Sequence, residues 1–177
     1  IRASIIRFAP VVLAMALVAP AAAQSPETIA AAALQAAPVW DGHNDVPIQL
    51  RARRGNVLAG FDFTNTHAEP GFRGEAQPSA MQTDLPRLRA GRVGAQFWSV
   101  FVSTDLDEPR AVQATLEQID VTRRLIAAYP RDLELALTAD DVTRIMQQGR
   151  IASLLGMEGG HAIGSSLGVL RQMHALG

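Results

Sequence analysis

In the sequence IASLLGMEGGH, residues 151–161, an apolar run ends in a carboxylate, two glycines and an imidazole. The run Ile151–Met157 has the length of a buried strand. A second cluster, DGHND at residues 41–45, follows the shorter apolar run Val39-Trp40. Both clusters therefore place side chains that bind metals at the point where a predicted strand ends.

The first cluster offers two ligands of different kinds. His43 and Asp45 are two residues apart, so both side chains leave the same face if strand geometry persists through them. The imidazole nitrogen and the carboxylate oxygen then converge on one divalent cation, and zinc accepts this mixture at about 2.0–2.2 Å. Glu158, which ends the second run, is the candidate for a third ligand. The sequence predicts a metal site formed by His43, Asp45 and Glu158.

Each of these residues also has a plainer interpretation. Asp41 and Asp45 are typical of surface turns, in which carboxylates accept local backbone hydrogen bonds. Glu158 before two glycines is compatible with an ordinary loop acid. His161 is expected to make structural hydrogen bonds rather than to bind a metal.

The composition of the chain excludes several classes of partner and of functional site. The 177 residues are enough for one modest domain with a real core. The net charge is −1 and there is no basic tract, which argues against nucleic acid or an anionic membrane surface as a partner. Cysteine is absent, which excludes disulfides, thiol catalysis and cysteine-based zinc sites. His, Asp and Glu are left as the metal ligands to expect.

Residues 1–23 have the pattern of a signal peptide. Arg2 and Arg7 precede an apolar stretch at 8–20, and three alanines at 21–23 give a small-residue cleavage pattern before Gln24. The stretch is shorter than the roughly 20 residues of a membrane span, and an uncleaved anchor helix is the alternative. We expect an exported protein, periplasmic or extracellular, with its domain at 24–177.

A third predicted strand, Val93–Val102, lies between the two clusters and is mostly apolar with aromatic and β-branched residues. Helix signals occur between the predicted strands and at both ends of the domain, whereas residues 51–82 predict a long loop. Helices are predicted from Ser25, over 83–90, from Asp107 to 129, from Thr138 to 149, and from Ser165 or Ser166 onward.

Strands that are apolar on both faces and alternate with helices predict a parallel sheet covered by helices. In a β/α barrel the catalytic residues stand at the carboxyl ends of the strands, as the three ligand candidates do here. Three strands cannot close a barrel of eight, and a fourth strand is expected where the chain ends at Gly177. The predicted fold class is α/β, the N-terminal part of a (β/α)8 TIM-type barrel with about three β/α units, within a longer protein.

Three motifs occur in a fixed order: WDGHNDVP at 40–47, GAQFWS at 94–99, and GMEGGH at 156–161 followed by SLGVL at 166–170. Together they resemble the renal (membrane) dipeptidase family of zinc metallopeptidases, and the likeness extends from about Val39 to the last residue. The resemblance implies a β/α barrel that holds two zinc ions and hydrolyses dipeptides.

By that resemblance His43 and Asp45 bind the first zinc, and Glu158 bridges both ions and is the catalytic residue. The family holds its second zinc with two histidines on later strands, so these 177 residues alone are expected to be inactive. A hydroxide between the ions is expected to attack the scissile carbonyl while a zinc polarises its oxygen. A carbamylated lysine, the bridge in many related hydrolases, is excluded because the chain has no lysine.

The main functional prediction is an exported zinc-dependent dipeptidase whose partner is a small-molecule dipeptide. Assembly into a homo-oligomer is left open as an alternative to a monomer, since related proteins can be dimeric. A second interpretation keeps the barrel and the metals but acts on another amide, an ester or a lactone. A third is a non-catalytic exported binding module on the same scaffold, because a fold does not fix a function.

Overall fold

The computed structural model describes residues 24–177, and the signal-peptide prediction for residues 1–23 lies outside them. Its helices are α1 (Pro26–Ala36), α2 (Val46–Arg54), α3 (Leu85–Ala90), α4 (Glu108–Ala128), α5 (Ala139–Gln147) and α6 (Leu167–Ala175). Its strands are β1 (Val39–Asn44), β2 (Val93–Phe101), β3 (Leu133–Leu135) and β4 (Ile151–Glu158). Short 3₁₀ turns cover Phe72–Gly74 and Gly160–Ile163. Within the described range no helix is both long enough and apolar enough to cross a bilayer.

The strands form one parallel sheet in the order β1-β2-β4-β3. The three predicted strands, β1, β2 and β4, are direct neighbours, as consecutive strands of a barrel are. The fourth strand, β3, was not predicted, because three residues are too few to show a periodic pattern. It pairs only with Ile151–Ser153 at the start of β4. The carboxyl ends of the three predicted strands therefore share one edge of the sheet.

The largest core cluster joins the sheet to α2, α4 and the segment 55–84. Trp98 of β2 is fully buried there, with its ring centroid 6.1 Å from that of Phe63. Val121 and Leu125 of α4 and Leu50 of α2 belong to the same cluster. Burial of such side chains contributes about 1.5–3 kcal/mol each relative to exposure. This cluster fixes the sheet against the segments that surround the candidate site.

The predicted starts of α1, α4, α5 and α6 are confirmed by their caps, whereas the helix predicted from residue 83 begins at Leu85, with Asp84 as its cap. The side chains of Ser25, Asp107 and Ser166 each accept a hydrogen bond from the backbone amide three residues later. Thr138 and Asp141 form a complete capping box at the start of α5. Local side-chain chemistry was therefore sufficient to place these boundaries.

The predicted loop at residues 51–82 begins too early. Residues 51–54 belong to α2, which ends where Gly55 adopts a left-handed conformation with φ of 55°. Pro47 lies in the first turn of this helix, a position that suits its missing N–H. The polar run around Arg51 carries little hydrophobic periodicity, so α2 was not visible as a helix. The remaining segment, 55–84, contains one 3₁₀ turn and an isolated bridge between Glu69 and Ser79.

Candidate metal centre

The first two ligand candidates lie at a turn between β1 and α2. The strand ends at Asn44, and Asp45 has φ of −89° and ψ of 14°, so strand geometry does not persist through Asp45. The chain turns there instead, because α2 begins at the next residue. The turn still brings the pair together, with Asp45 Oδ1 3.2 Å from His43 Nε2.

Polar side chains on either side hold this turn. Asp41 Oδ1 accepts a hydrogen bond from the His43 amide at 3.1 Å, so the interpretation as a surface turn is correct for Asp41. Asn44 accepts a bond from the Val46 amide at 3.2 Å and donates to the Thr83 hydroxyl at 3.0 Å. Asp45 makes no side-chain capping bond to α2. Its carboxylate is directed to His43.

The third candidate reaches the same nitrogen from β4. Glu158 is the last residue of that strand and pairs with Phe101 in the register of the sheet. Its Oε2 lies 3.6 Å from His43 Nε2 and accepts a hydrogen bond from the Ser99 hydroxyl at 2.9 Å. The structure thus brings His43, Asp45 and Glu158 together at the carboxyl edge of the sheet.

Two of the donor separations can be compared with the spacing of ligands around a cation. Tetrahedral ligands at about 2.0–2.2 Å from zinc lie about 3.3–3.6 Å from one another. The two separations measured from His43 Nε2, 3.2 and 3.6 Å, are close to that range. The side chains of His43, Asp45 and Glu158 are 56%, 56% and 48% exposed, so an ion has access from solvent.

The three candidate ligands do not form a complete metal site by themselves. In the described residues, no three or more His, Cys, Asp or Glu side chains are grouped closely enough to hold a metal by themselves. Both carboxylates contact His43, which is the shared member of the two pairs. The nitrogen and oxygen donors fit zinc chemically, and they leave coordination positions for groups outside this set.

A pocket of about 270 Å³ opens beside the three candidates. Phe101 borders it from the end of β2, and Phe72 and Arg73 border it from the 3₁₀ turn. Arg73 has a left-handed backbone with φ of 52°, and its guanidinium lies 5.2 Å from the centroid of the Phe72 ring. Phe72 and Arg73 were missed, because the segment 55–84 has no periodic pattern that would indicate where it lies.

The same segment is tied to α2 by arginines. Arg54 forms an ion pair with Glu69 at 2.6 Å, and Arg53 donates to the Pro70 carbonyl at 2.6 Å and to the Ser79 hydroxyl at 2.9 Å. Both partners of the Arg54–Glu69 pair are largely buried. These contacts explain how an irregular segment holds a defined position at the pocket.

His161 is separate from the cluster, in agreement with the structural role expected for it. Its Nε2 lies 3.1 Å from the Val102 carbonyl oxygen, to which it donates in the matching tautomer. Gly159 has φ of 94°, and a Cβ at this position would lie 2.5 Å from the His161 ring. Glycine is therefore required for the chain to turn after Glu158.

Ser99 is a buried polar residue that the sequence interpretation missed. It lies two residues before the end of β2 and is only 3% exposed. The alternation of strand faces was the available signal, since Ser99 shares a face with Phe101 and Phe101 pairs with Glu158.

In β/α barrels the active-site residues stand at the carboxyl edge of the parallel sheet, and the candidate ligands stand at that edge here. The sequence model of the family described as membrane dipeptidase (peptidase family M19) matches residues 28–177, and the chain belongs to this family. Dipeptidase 3 of Macaca fascicularis is 44% identical over 140 residues, which are 79% of this chain and 25% of that protein. The chain thus spans about a quarter of that relative's length.

Two solved structures share the fold. One is a metallopeptidase from Rhodobacter sphaeroides liganded with a phosphinate mimic of the dipeptide L-Ala-D-Ala, with a TM-score of 0.62 and 22% identity over 79% of this chain and 43% of that chain. The other is the probable dipeptidase PvdM from Pseudomonas aeruginosa, with a TM-score of 0.62 and 17% identity over 86% of this chain and 36% of that chain. Together with the family match, they confirm the predicted fold class, part of a β/α barrel.

Proposed function

We propose that the complete protein containing this chain is a metallopeptidase that hydrolyses dipeptides, with zinc held by His43, Asp45 and Glu158. The supporting observation is that these three side chains meet at the carboxyl edge of the sheet in a member of the dipeptidase family. The substrate class is supported by two relatives, one named a dipeptidase and one liganded with a dipeptide mimic.

Bound zinc supplies Lewis acidity and lowers the pKa of water towards neutrality. The residues of the chain hold and orient the reactants. His43 offers an imidazole nitrogen, and the carboxylates of Asp45 and Glu158 would offset the charge of the cation. Glu158 has two oxygens, which suits the bridging role that the family resemblance gives it. Phe72 and Phe101 present apolar surface to a small substrate in the pocket.

Three ligands do not complete two zinc sites. The proposal therefore includes further ligands from outside the 177 residues, and the 177 residues alone are expected not to turn over dipeptides. It also places the protein outside the cytoplasm. That part is supported by the signal-peptide pattern of residues 1–23.

Hydrolysis of a dipeptide panel by the complete protein, with and without a chelator, tests the proposal. We expect cleavage that the chelator abolishes and added zinc restores. The variants His43→Ala and Glu158→Ala are expected to lose turnover and bound zinc, because each removes a ligand. His67→Ala is the control, since His67 is an exposed histidine of the segment 55–84 and should leave the rate unchanged.

Cleavage that survives the chelator, or near-normal rates in both ligand variants, would contradict the metal assignment. Hydrolysis of esters or lactones without hydrolysis of dipeptides would favour the other hydrolase interpretation. A folded complete protein that binds no zinc would favour the binding module.

A further inference from the structure

The buried hydroxyl of Ser99 contacts a predicted metal ligand. Its Oγ donates to Glu158 Oε2 at 2.9 Å, and Ser99 itself is 3% exposed. The same carboxylate oxygen lies 3.6 Å from His43 Nε2. One oxygen of Glu158 therefore faces both the buried hydroxyl and the imidazole.

Glu158 needs such a contact to keep one orientation. Its side chain is 48% exposed, and fixing a glutamate side chain costs up to about 1.5–2 kcal/mol of rotamer freedom. Within residues 24–177 no arginine forms an ion pair with Glu158, and Ser99 is its one hydrogen-bond donor apart from the His43 contact. The hydroxyl is thus the fixed, buried group that selects the rotamer directed to His43.

The register of the sheet makes this contact specific. Ser99 pairs with Gly156, and Phe101 pairs with Glu158, so Ser99 and Glu158 are diagonal neighbours on one face. Gly156 has no side chain, and a Cβ there would contact only the Phe97 ring, at 3.6 Å. The space beside Gly156 is therefore open for the Ser99 hydroxyl to reach along the strand to Glu158.

We propose that Ser99 is a positioning residue of the metal site, whose hydroxyl holds the Glu158 carboxylate towards His43 before a cation binds. The proposal rests on the proposed function for the identity of the metal and of its ligands. Removal of a group that orients a metal ligand typically lowers metal affinity or activity about 10–100-fold. Ser99 acts through Glu158, so its loss should weaken zinc binding more than it changes the reaction of the zinc-loaded enzyme.

The test is zinc affinity in the complete protein, measured by competition with a chromogenic chelator. Ser99→Ala is expected to bind zinc about 10–100-fold more weakly than the wild type. Its dipeptidase rate should fall at limiting zinc and recover at excess zinc, with kcat of the loaded enzyme retained. Ser99→Thr keeps a hydroxyl and is expected to retain most of the affinity. Ser153→Ala is the matched control, because Ser153 is a buried serine of β4 whose hydroxyl contacts the Ile151 carbonyl at 3.5 Å.

Wild-type zinc affinity in a folded Ser99→Ala protein would overturn the proposal. So would a loss of activity that excess zinc does not restore and that accompanies a lower melting temperature, since that result indicates a structural role alone. A wild-type protein that binds no zinc would overturn both this proposal and the proposed function. A protein that binds zinc, shows the Ser99 effect and cleaves no dipeptide would refute only the proposed substrate.

Discussion

Gly159 allows the chain to turn directly after Glu158, the candidate ligand at the end of β4. Its φ of 94° lies outside the range that residues with a side chain readily adopt, and a Cβ there would lie 2.5 Å from the His161 ring. We expect Gly159→Ala to lower the free energy of unfolding by about 1–3 kcal/mol, the usual cost of backbone strain. Displacement of Glu158 should also weaken zinc binding. Urea unfolding and zinc competition in the complete protein measure the two effects.

The neighbouring glycine provides the control for this prediction. A Cβ at Gly160 would meet nothing within 4 Å, and its φ is not in the positive range. Gly160→Ala should therefore change the free energy of unfolding by less than about 0.5 kcal/mol. Equal losses in the two variants would show that the contact with His161 is not what requires glycine at 159.

The proximity of His43, Asp45 and Glu158 was predictable from the sequence because each follows an apolar run that forms a strand of the same sheet, while their role as metal ligands stays a prediction. The details of the site were not predictable in the same way. The turn at Asp45 depends on the contact between Asn44 and Thr83, which are 39 positions apart. The register of the sheet places the Ser99 hydroxyl beside the Glu158 carboxylate. Arg73 borders the pocket from a segment without hydrophobic periodicity. Long-range contacts of this kind leave no local pattern.

Helix α5 begins with a capping box whose carboxylate is strongly perturbed. Hydrogen bonds from Arg144, then from the Thr138 side chain and the Leu137 amide, lower the pKa of Asp141 to about 2 from an ordinary 3.8. Because the folded-state pKa is depressed, the stabilisation is complete above about pH 4 and is lost as the pH falls towards 2. We expect the stability difference between wild type and Asp141→Asn to shrink over that interval.

Urea unfolding at pH 7 and at several lower values checks this prediction. At pH 7, Thr138→Ala should cost about 1 kcal/mol, the usual value for a lost N-cap. Asp140→Asn is the control, because Asp140 is an exposed acid of the same helical turn without side-chain hydrogen bonds in the described residues. A difference for Asp141→Asn that stays constant from pH 7 to pH 2 would contradict the pKa assignment.

Helices with polar side-chain caps were predictable from the sequence because a cap is a local interaction. The start of α5 is an example, since Thr138 and Asp141 are only three residues apart. Helix α2 was missed because its second half carries three arginines and little apolar periodicity, and its stability comes from burial of Val46 and Leu50 against distant partners. Strand β3 was missed because its pairing with Ile151–Ser153, and not its own composition, makes it a strand.

The sheet has the organisation of an open part of a barrel. Its three predicted strands are neighbours with their carboxyl ends at one edge, and the candidate ligands stand there. Beyond Ser153, the outer edge of β4 has no strand partner within residues 24–177. A closed barrel pairs every strand edge, whereas within the described residues this edge of β4 is open. The alternation of helices with apolar strands was enough to predict this architecture.

Trp98 connects the layers of the molecule, since it is fully buried in the cluster that joins β2 to Phe63 and α4. Trp98→Ala is expected to lower the free energy of unfolding by about 3–5 kcal/mol, because it leaves a large cavity. Trp98→Phe should cost clearly less. Phenylalanine keeps an aromatic ring beside Phe63 and removes the indole N–H, which has no hydrogen-bond partner among the described residues.

Urea unfolding followed by circular dichroism distinguishes these two variants, and Trp40→Phe is the control. Trp40 is 56% exposed, so its substitution should change the free energy of unfolding by less than about 0.5 kcal/mol. Equal losses for Trp98→Phe and Trp98→Ala would contradict this prediction, because they would show that the aromatic ring kept beside Phe63 contributes no stability.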